Sequence, residues 1–386
     1  MPGLHPHIDP DGLLEFSVVY TDRALNHMSG RFQQVMRDIS GTLKQVYHAR
    51  SAVVVPGSGT FGMEAVARQF GHGQTALVVR NGWFSFRWSQ IFDMGAIPLS
   101  HQVMKAQRVG QGPLAPFAPA PIEAVEAAIA ATRPALVCAP HVETASGMLL
   151  PDNYLKRLAD ATHAVGGLLV LDCIASGCLW VDMVATGVDV LISAPQKGWS
   201  GSPGCAFVML SEAARARIDN TTSSSFACDL KKWLQIMETY EAGGHAYHAT
   251  LPTDTLERNR DVMAESAAYG FERLREEQWA LGHQVRALMT RHGFTSVAAP
   301  GFEAPGVVVC YTQDAAIQSG AAFVAQGLQT AAGVPLQCDE GSDFKTFRMG
   351  LFGLDKLHQP ERAVAALAKA LAVVAPLSEK EAASAK

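Results

Sequence analysis

Two ionisable side chains stand in stretches that otherwise carry almost no charge. Asp172 closes the run LLVLD (168–172), and Lys197 lies inside DVLISAPQKGWSGSPG (189–204). A carboxylate among Leu, Val, Cys, Ile and Ala is costly unless a cation pairs with it. A lysine flanked by Ala, Pro, Gly, Trp and Ser loses its proton more readily and becomes a nucleophilic amine. An amine that can form an imine, beside a carboxylate that keeps a pyridine nitrogen protonated, is the pair that pyridoxal 5'-phosphate (PLP) chemistry needs. The plainer alternative is a buried Asp–Lys ion pair that only closes the strand ends.

A third feature lies upstream. PGSGTFG (56–62) follows a short apolar run and opens a helical pattern. Glycines there let the backbone approach an anion, and free N–H groups at a helix start point at it. Gly57, Gly59 and Gly62 also satisfy the spacing of a dinucleotide-binding loop. That reading predicts an acidic residue roughly 20 positions on, which holds a ribose hydroxyl. The next strand instead ends VVRNGW, with Arg80 and Asn81 at its tip. A tight strand-to-helix turn without a ligand is the remaining alternative.

These residues need a scaffold that brings them to one place. Strand and helix signals alternate from about residue 50 to 215. AVVVP (52–56), ALVVR (76–80), ALVCA (135–139), LLVLD, DVLIS (189–193) and CAFVML (205–210) read as buried strands. MEAVARQF, IEAVEAAIAAT (122–132) and DNYLKRLADATHAVG read as helices between them. Such alternation predicts a mostly parallel α/β sheet covered by helices on both faces. Ligands then bind beyond the carboxyl ends of the strands, where Asp172 and Lys197 fall. GPLAPFAPAP (112–121) reads as a surface loop, because proline is frequent in it. One long helix is expected from Thr255 towards His292, followed by a smaller unit. That unit holds strands in GVVVCYT (306–312) and FRMGLFG (347–353), a final helix PERAVAALAKALAVV and a frayed tail, SEKEAASAK. The implied division is an arm (1–24), a large domain (25–256) and a linking helix with a small domain (257–386).

Bulk properties bound the function. The chain has 386 residues, 48% hydrophobic and 17% charged, with a net charge of −5. No basic stripe of the kind a nucleic-acid binder needs is present. No apolar stretch approaches the roughly 20 residues of a membrane span. MPGLHPHIDPDG does not read as a secretory signal. The seven cysteines are odd in number and mostly isolated. Cys138, Cys173 and Cys205 lie in strand-like runs, so reduced core thiols and a cytoplasmic location are expected. Cys173 and Cys178 lack a second pair, and the thirteen histidines show no ligand spacing, so no metal site is expected.

The order GSGT, NGWFSFR, HVETASG, LLVLDCIASG, SAPQKGWSGSPG, YHATLPT and FRMGLFG resembles the class V aminotransferases of PLP fold type I. It is nearest the alanine–glyoxylate and serine–glyoxylate group, and the resemblance covers about residues 25–375. It implies a large domain with a sheet of the seven-stranded type and a smaller C-terminal α+β domain. It implies that Ser58, Gly59 and Thr60 wrap the cofactor phosphate, which Gln196 touches. Phe84, with Trp83 as its neighbouring candidate, would stack on the pyridine face, and Ile174 would pack on the other. Thr144 would bond the ring hydroxyl or a nearby polar edge. Asp172 would pair with the ring nitrogen, and Lys197 would carry the cofactor as a Schiff base. Arg348 would hold a substrate carboxylate, with Asp343 or Glu340 as possible structural partners instead. Tyr247 and Thr250 would reach the neighbouring subunit's phosphate, which implies a homodimer with shared active sites. The chain departs from the family pattern at its start, where GLHPHIDPDG and LEFSVVYTDR occupy the substrate-lining region and LNHMSGRF takes the place of a histidine-arginine-serine stretch, and at Trp199, a bulky neighbour of the lysine.

The expected function is therefore transfer of an amino group from a small amino acid of alanine or serine type to a 2-oxo acid such as glyoxylate or pyruvate. Other readings remain. SSSFACDLKKWLQIME also resembles the 2-aminoethylphosphonate transaminases. A PLP lyase or desulfurase is another; a desulfurase would need an exposed nucleophilic cysteine, for which Cys338 is the candidate. A nicotinamide-dependent oxidoreductase would use the Gly57–Gly62 loop.

Overall fold

The computed structural model describes residues 5–9 and 12–377. The tail SEKEAASAK and part of the amino-terminal MPGLHPHIDPDG lie outside the described residues. In chain order the main elements begin with helix α1 (Gly30–Tyr47), strand β1 (Ser51–Pro56), α2 (Gly59–Phe70), β2 (Thr75–Arg80), α3 (Trp83–Gly95) and β3 (Ser100–Lys105). They continue through α4 (Ile122–Thr132), β4 (Leu136–Pro140), α5 (Asp152–Ala164), β5 (Leu168–Asp172), β6 (Val190–Ser193) and β7 (Cys205–Leu210). Helices α6 (Glu212–Asp219), α7 (Leu230–Glu241), α8 (Thr253–Tyr269) and α9 (Phe271–Arg291) follow. Strands β8 (Val307–Tyr311), β9 (Ala331–Ala332) and β10 (Thr346–Gly350) and helix α10 (Pro360–Val374) complete the set.

The first seven strands form one sheet in the order β1-β7-β6-β5-β4-β2-β3. Only β7 runs against its neighbours. The other adjacent pairs are parallel. Strands β4, β5, β6 and β7 are buried at every position, as expected where helices cover both faces. Because β7 reverses direction, β1 points the same way as β6. The carboxyl ends of β1, β2, β4, β5 and β6 therefore share one rim. Strands β8, β10 and β9 form a separate antiparallel sheet.

Three sequence expectations are corrected here. The long helix is two helices, broken at Gly270, whose φ of 106° is open to glycine but not to residues with a Cβ. The proline-rich segment is not simply a surface loop. Phe117 and Ala118 pair with Gln107 and Arg108, and Ala115, Phe117 and Ala120 are buried. The Phe117 N–H donates to Val297 O (2.7 Å), so the segment is stitched onto the protein despite its prolines. Trp199 does not face the ligand side. It is buried against Trp180, Phe271 and Tyr47, at ring separations of 4.7, 6.0 and 6.2 Å. Strand β3, SHQVMK, lacks an apolar run because every position is exposed or half-buried on a sheet edge.

The loop that carries Lys197 is tied down from several sides. Gly201 N–H donates to Pro195 O (2.8 Å), and Gly198 lies so close to Gly177 that a Cβ there would strike its carbonyl. Asn259 of α8 accepts from Ser202 N–H (2.7 Å) and donates to Ser202 O (3.1 Å). Asn259 is buried, so Asn259→Ala leaves both backbone groups unpaired. The expected loss is about 1–3 kcal/mol of unfolding free energy, measurable by urea titration.

Candidate active site

Five rim loops close on one cavity. The turn after β1 supplies Ser58, Gly59 and Thr60, and the first turns of α3 supply Phe84 and Arg87. The turn after β4 supplies Val142 and Thr144. The loop after β5 supplies Asp172, Ile174 and Ala175, and the loop after β6 supplies Gln196 and Lys197. Met63 of α2 completes the lining. Four strands lie between β1 and β2 in the sheet, yet α2 and α3 bring their loops together: Arg87 donates to Thr60 Oγ1 across 2.9 Å.

The phosphate loop has the construction its sequence suggests. Gly57 takes a φ of 117°, which favours glycine. A Cβ on Gly59 would strike the Ile174 side chain, so only a bare backbone fits against that wall. The Ser58 side chain makes no cap hydrogen bond to α2. It and the first N–H groups of the helix are therefore open to an anion.

The charges are arranged around a gap. No salt bridge joins Asp172 and Lys197 among the described residues, although both line the cavity. The closed ion pair considered from sequence is thus not formed. Asp172 accepts from Ile174 N–H (2.9 Å). Burial pushes its carboxyl up to about 6, against the opposing pull of that N–H and of Lys197. Burial likewise lowers the Lys197 amine from its ordinary value, against the attraction of Asp172 and Glu143. Three cations face the Phe84 ring: Arg87 Cζ at 5.3 Å, Arg348 Cζ at 5.5 Å and Lys197 Nζ at 5.7 Å from its centroid. Arg348, on β10, donates its Nε to Ala332 O (2.8 Å). That contact orients the guanidinium and leaves its two terminal nitrogens for a ligand. Asp343 and Glu340 do not take it; Glu340 accepts instead from the N–H groups of Leu336, Gln337 and Cys338.

The structure thus gathers Ser58, Gly59, Thr60, Phe84, Thr144, Asp172, Ile174, Gln196 and Lys197 around one space, with Arg348 beside it. Tyr247 and Thr250 stand apart from it, with their hydroxyls 3.2 Å from one another and Tyr247 exposed. Sequence reading missed Arg87 and Glu143. Arg87 was visible in NGWFSFR, three residues after Phe84 and so on the same helical face. Glu143, beside Thr144, gave no signal that it would be buried.

The donor set fits PLP. Thr144 Oγ1 is buried on the cavity wall with no protein partner. A buried hydroxyl left unpaired costs free energy that a ligand atom can offset. A phosphate, an aromatic ring and a ring nitrogen would meet the Ser58–Thr60 turn, the Phe84 and Ile174 walls and Asp172 in that order. The dinucleotide reading fails on topology: β1 is a sheet edge next to an antiparallel strand, not the central strand that such folds use. The desulfurase reading loses its nucleophile. Cys338 is buried, not exposed, and burial pushes its thiol up to about 12.

Comparison with known proteins follows the same line. The family model for class-V aminotransferases matches residues 14–334. The chain is 28% identical to 2-aminoethylphosphonate–pyruvate transaminase 2 of Paraburkholderia xenovorans (strain LB400), over 91% of this chain and 89% of that one. It is 28% identical to alanine–glyoxylate aminotransferase of Rattus norvegicus over 65% of this chain, a match that spans only 58% of the rat protein. The crystal structure of the ureidoglycine–glyoxylate aminotransferase of Bacillus subtilis superposes with a TM-score of 0.75 at 20% identity, covering 96% of this chain and 91% of that one.

The raised Asp172 carboxyl sets a pH dependence for the protein without cofactor. Between its ordinary value of 3.8 and about 6, the folded state holds a proton that the unfolded chain has released. Stability from this group is therefore present below pH 4 and lost as pH rises to 6, by about 3 kcal/mol. Unfolding titrations at pH 4.5 and 6.5 should show about 2 kcal/mol of that loss in the wild type and none of it in Asp172→Asn. Equal pH slopes in the two would show that Asp172 has an ordinary carboxyl.

Proposed function

Because the chain belongs to the class V aminotransferases, we propose that it is a PLP-dependent transaminase of fold type I. It moves the amino group of a small amino acid, of alanine or serine type, to a 2-oxo acid such as glyoxylate or pyruvate. The observation that carries this reading is the gap between Lys197 and Asp172, two desolvated groups of opposite charge that line one cavity without touching. Bound there, PLP supplies a carbonyl carbon that exchanges amino groups and a ring that accepts the electrons of the substrate α-carbanion.

The residues of the chain do the rest. The Ser58–Thr60 turn, with Gln196 and Arg87 close by, holds the phosphate. Phe84 and Ile174 sandwich the ring, and Thr144 satisfies its polar edge. Asp172 holds a proton at the ring nitrogen, which keeps the electron sink charged. Lys197 Nζ would anchor the cofactor and, as general base, would move a proton at the substrate α-carbon. Burial keeps this amine more readily deprotonated, as a general base requires. Arg348 binds the substrate carboxylate through its terminal nitrogens and so fixes which bond at the α-carbon faces Lys197.

Tyr247 and Thr250 serve the phosphate of a neighbouring copy, so the working unit is a homodimer. Their exposure on this chain, away from its own cavity, supports that placement. A cytoplasmic location is supported by seven cysteines that are all free and buried. No helix among the described residues is long and apolar enough to cross a membrane. A second reading, a 2-aminoethylphosphonate-type transaminase, draws on the relative that matches this chain over 91% of its length. The Arg348 fork can bind a phosphonate as well as a carboxylate.

Borohydride reduction of the yellow holoenzyme should fix the cofactor on the peptide that contains Lys197, as mass spectrometry would locate it. Lys197→Ala should take no label, and a label elsewhere would end the proposal. Alanine, serine and 2-aminoethylphosphonate, each offered with glyoxylate and pyruvate, separate the two donor readings. Arg348→Ala should lower kcat/KM for a carboxylate donor about 10- to 150-fold, the value of a charge-assisted pair. An unchanged kcat/KM would remove Arg348 from substrate binding.

A further inference from the structure

Glu143 is fully buried at the back of the site, yet no salt bridge neutralises it among the described residues. A lone carboxylate in such a place is costly unless hydrogen bonds surround it. Its donors are Ser85 Oγ–H (2.7 Å) and the N–H groups of Ser85 (2.9 Å), Ala145 (3.0 Å) and Phe84 (3.3 Å). They belong to two separate rim loops. Phe84 and Ser85 are in the first turn of α3, where an anion also suits the helix dipole. Ala145 follows Thr144 in the turn after β4. One carboxylate thus sets the distance between the aromatic wall and the hydroxyl that meets the cofactor's edge. The approach is close enough to constrain the chain: a Cβ on Gly82 would come within 2.7 Å of Glu143 Cγ.

The same charge reaches the reacting end of the site. It attracts the Lys197 amine and the Arg348 guanidinium and repels the Asp172 carboxylate. Lys197 faces Asp172 and Glu143 on the negative side and Arg87 and Arg348 on the positive side. Asp172 is committed to the ring nitrogen in the proposed function. Glu143 is then the remaining anion that offsets the two arginines around the lysine.

We propose that Glu143 is a positioning residue of the active site. Its carboxylate clamps the Phe84 turn to the Thr144 turn, and its charge holds the proton on the Lys197 nitrogen when the cofactor is bound. The inference rests on the PLP reading, and one experiment separates the failure of each. The holoenzyme is titrated with pH while the visible absorbance of bound PLP is followed, and the cofactor dissociation constant is measured by fluorescence quenching. In Glu143→Gln the midpoint of the absorbance change should fall by roughly one pH unit, and Glu143→Asp should bring it back towards the wild type. Ser85→Ala keeps the charge but loses one hydrogen bond, so its midpoint should stay while cofactor binding weakens about 3- to 10-fold. A wild-type midpoint in Glu143→Gln overturns the electrostatic role. Wild-type cofactor affinity in Ser85→Ala overturns the clamp, and it does so even if Glu143→Gln cannot be folded. Absence of any visible band in the wild type would instead overturn the PLP reading itself.

Discussion

Burial holds Asp172 and Lys197 in a relation that neither can resolve alone. Each has left water, each would be better off neutral, and the cavity keeps them from meeting. A direct pair would offset part of both desolvation costs. The protein forgoes that pair, which leaves between the two groups the space that the proposed function gives to a charged aromatic ring. Much of the surrounding architecture serves to keep this gap open and of the right size. The Lys197 loop is pinned to Asn259 and by the close passage of Gly198 over Gly177, which fixes where the lysine backbone starts.

The sheet explains how five loops come to share one small space. Reversal of β7 restores β1 to the direction of the parallel strands, so its outgoing turn opens on the same rim as those of β2, β4, β5 and β6. The sheet is nevertheless wide, and the phosphate turn leaves from its edge. Helices α2 and α3 span that distance. The Arg87–Thr60 contact and the cations gathered on Phe84 mark where they meet. Arg348 arrives from the other sheet and places a third cation beside the Phe84 ring.

Two buried acids divide the work between them. Asp172, at a strand end with a single N–H partner, remains responsive to whatever cation enters the cavity. Glu143, wrapped by four donors from two rim loops, is held in place. The difference lies in hydrogen bonding, not in burial, since both are withdrawn from water.

Much of this was legible in the order of residues. Apolar runs such as LLVLD and CAFVML could only be buried strands, and IEAVEAAIAAT after Pro121 could only be a helix; the boundaries of Ile122–Thr132 were recovered as read. A charged residue at the end of such a run is costly wherever it goes, so Asp172 and Lys197 declared themselves locally. Other features depend on neighbours distant in the chain. Gly270 divides a helix whose periodicity runs on across it, and Trp199 turns to Trp180 and Tyr47 instead of the ligand. Phe117 is drawn in by Val297, against the surface preference of its prolines. Cys338, Arg87 and Glu143 took their roles from what packs beside them. The sequence by itself determined which groups could do the chemistry, because charge in apolar surroundings is a local property. Only the tertiary structure decided that Asp172 and Lys197 stand apart across a cavity, because separation is set by the loops and helices that hold each one in place.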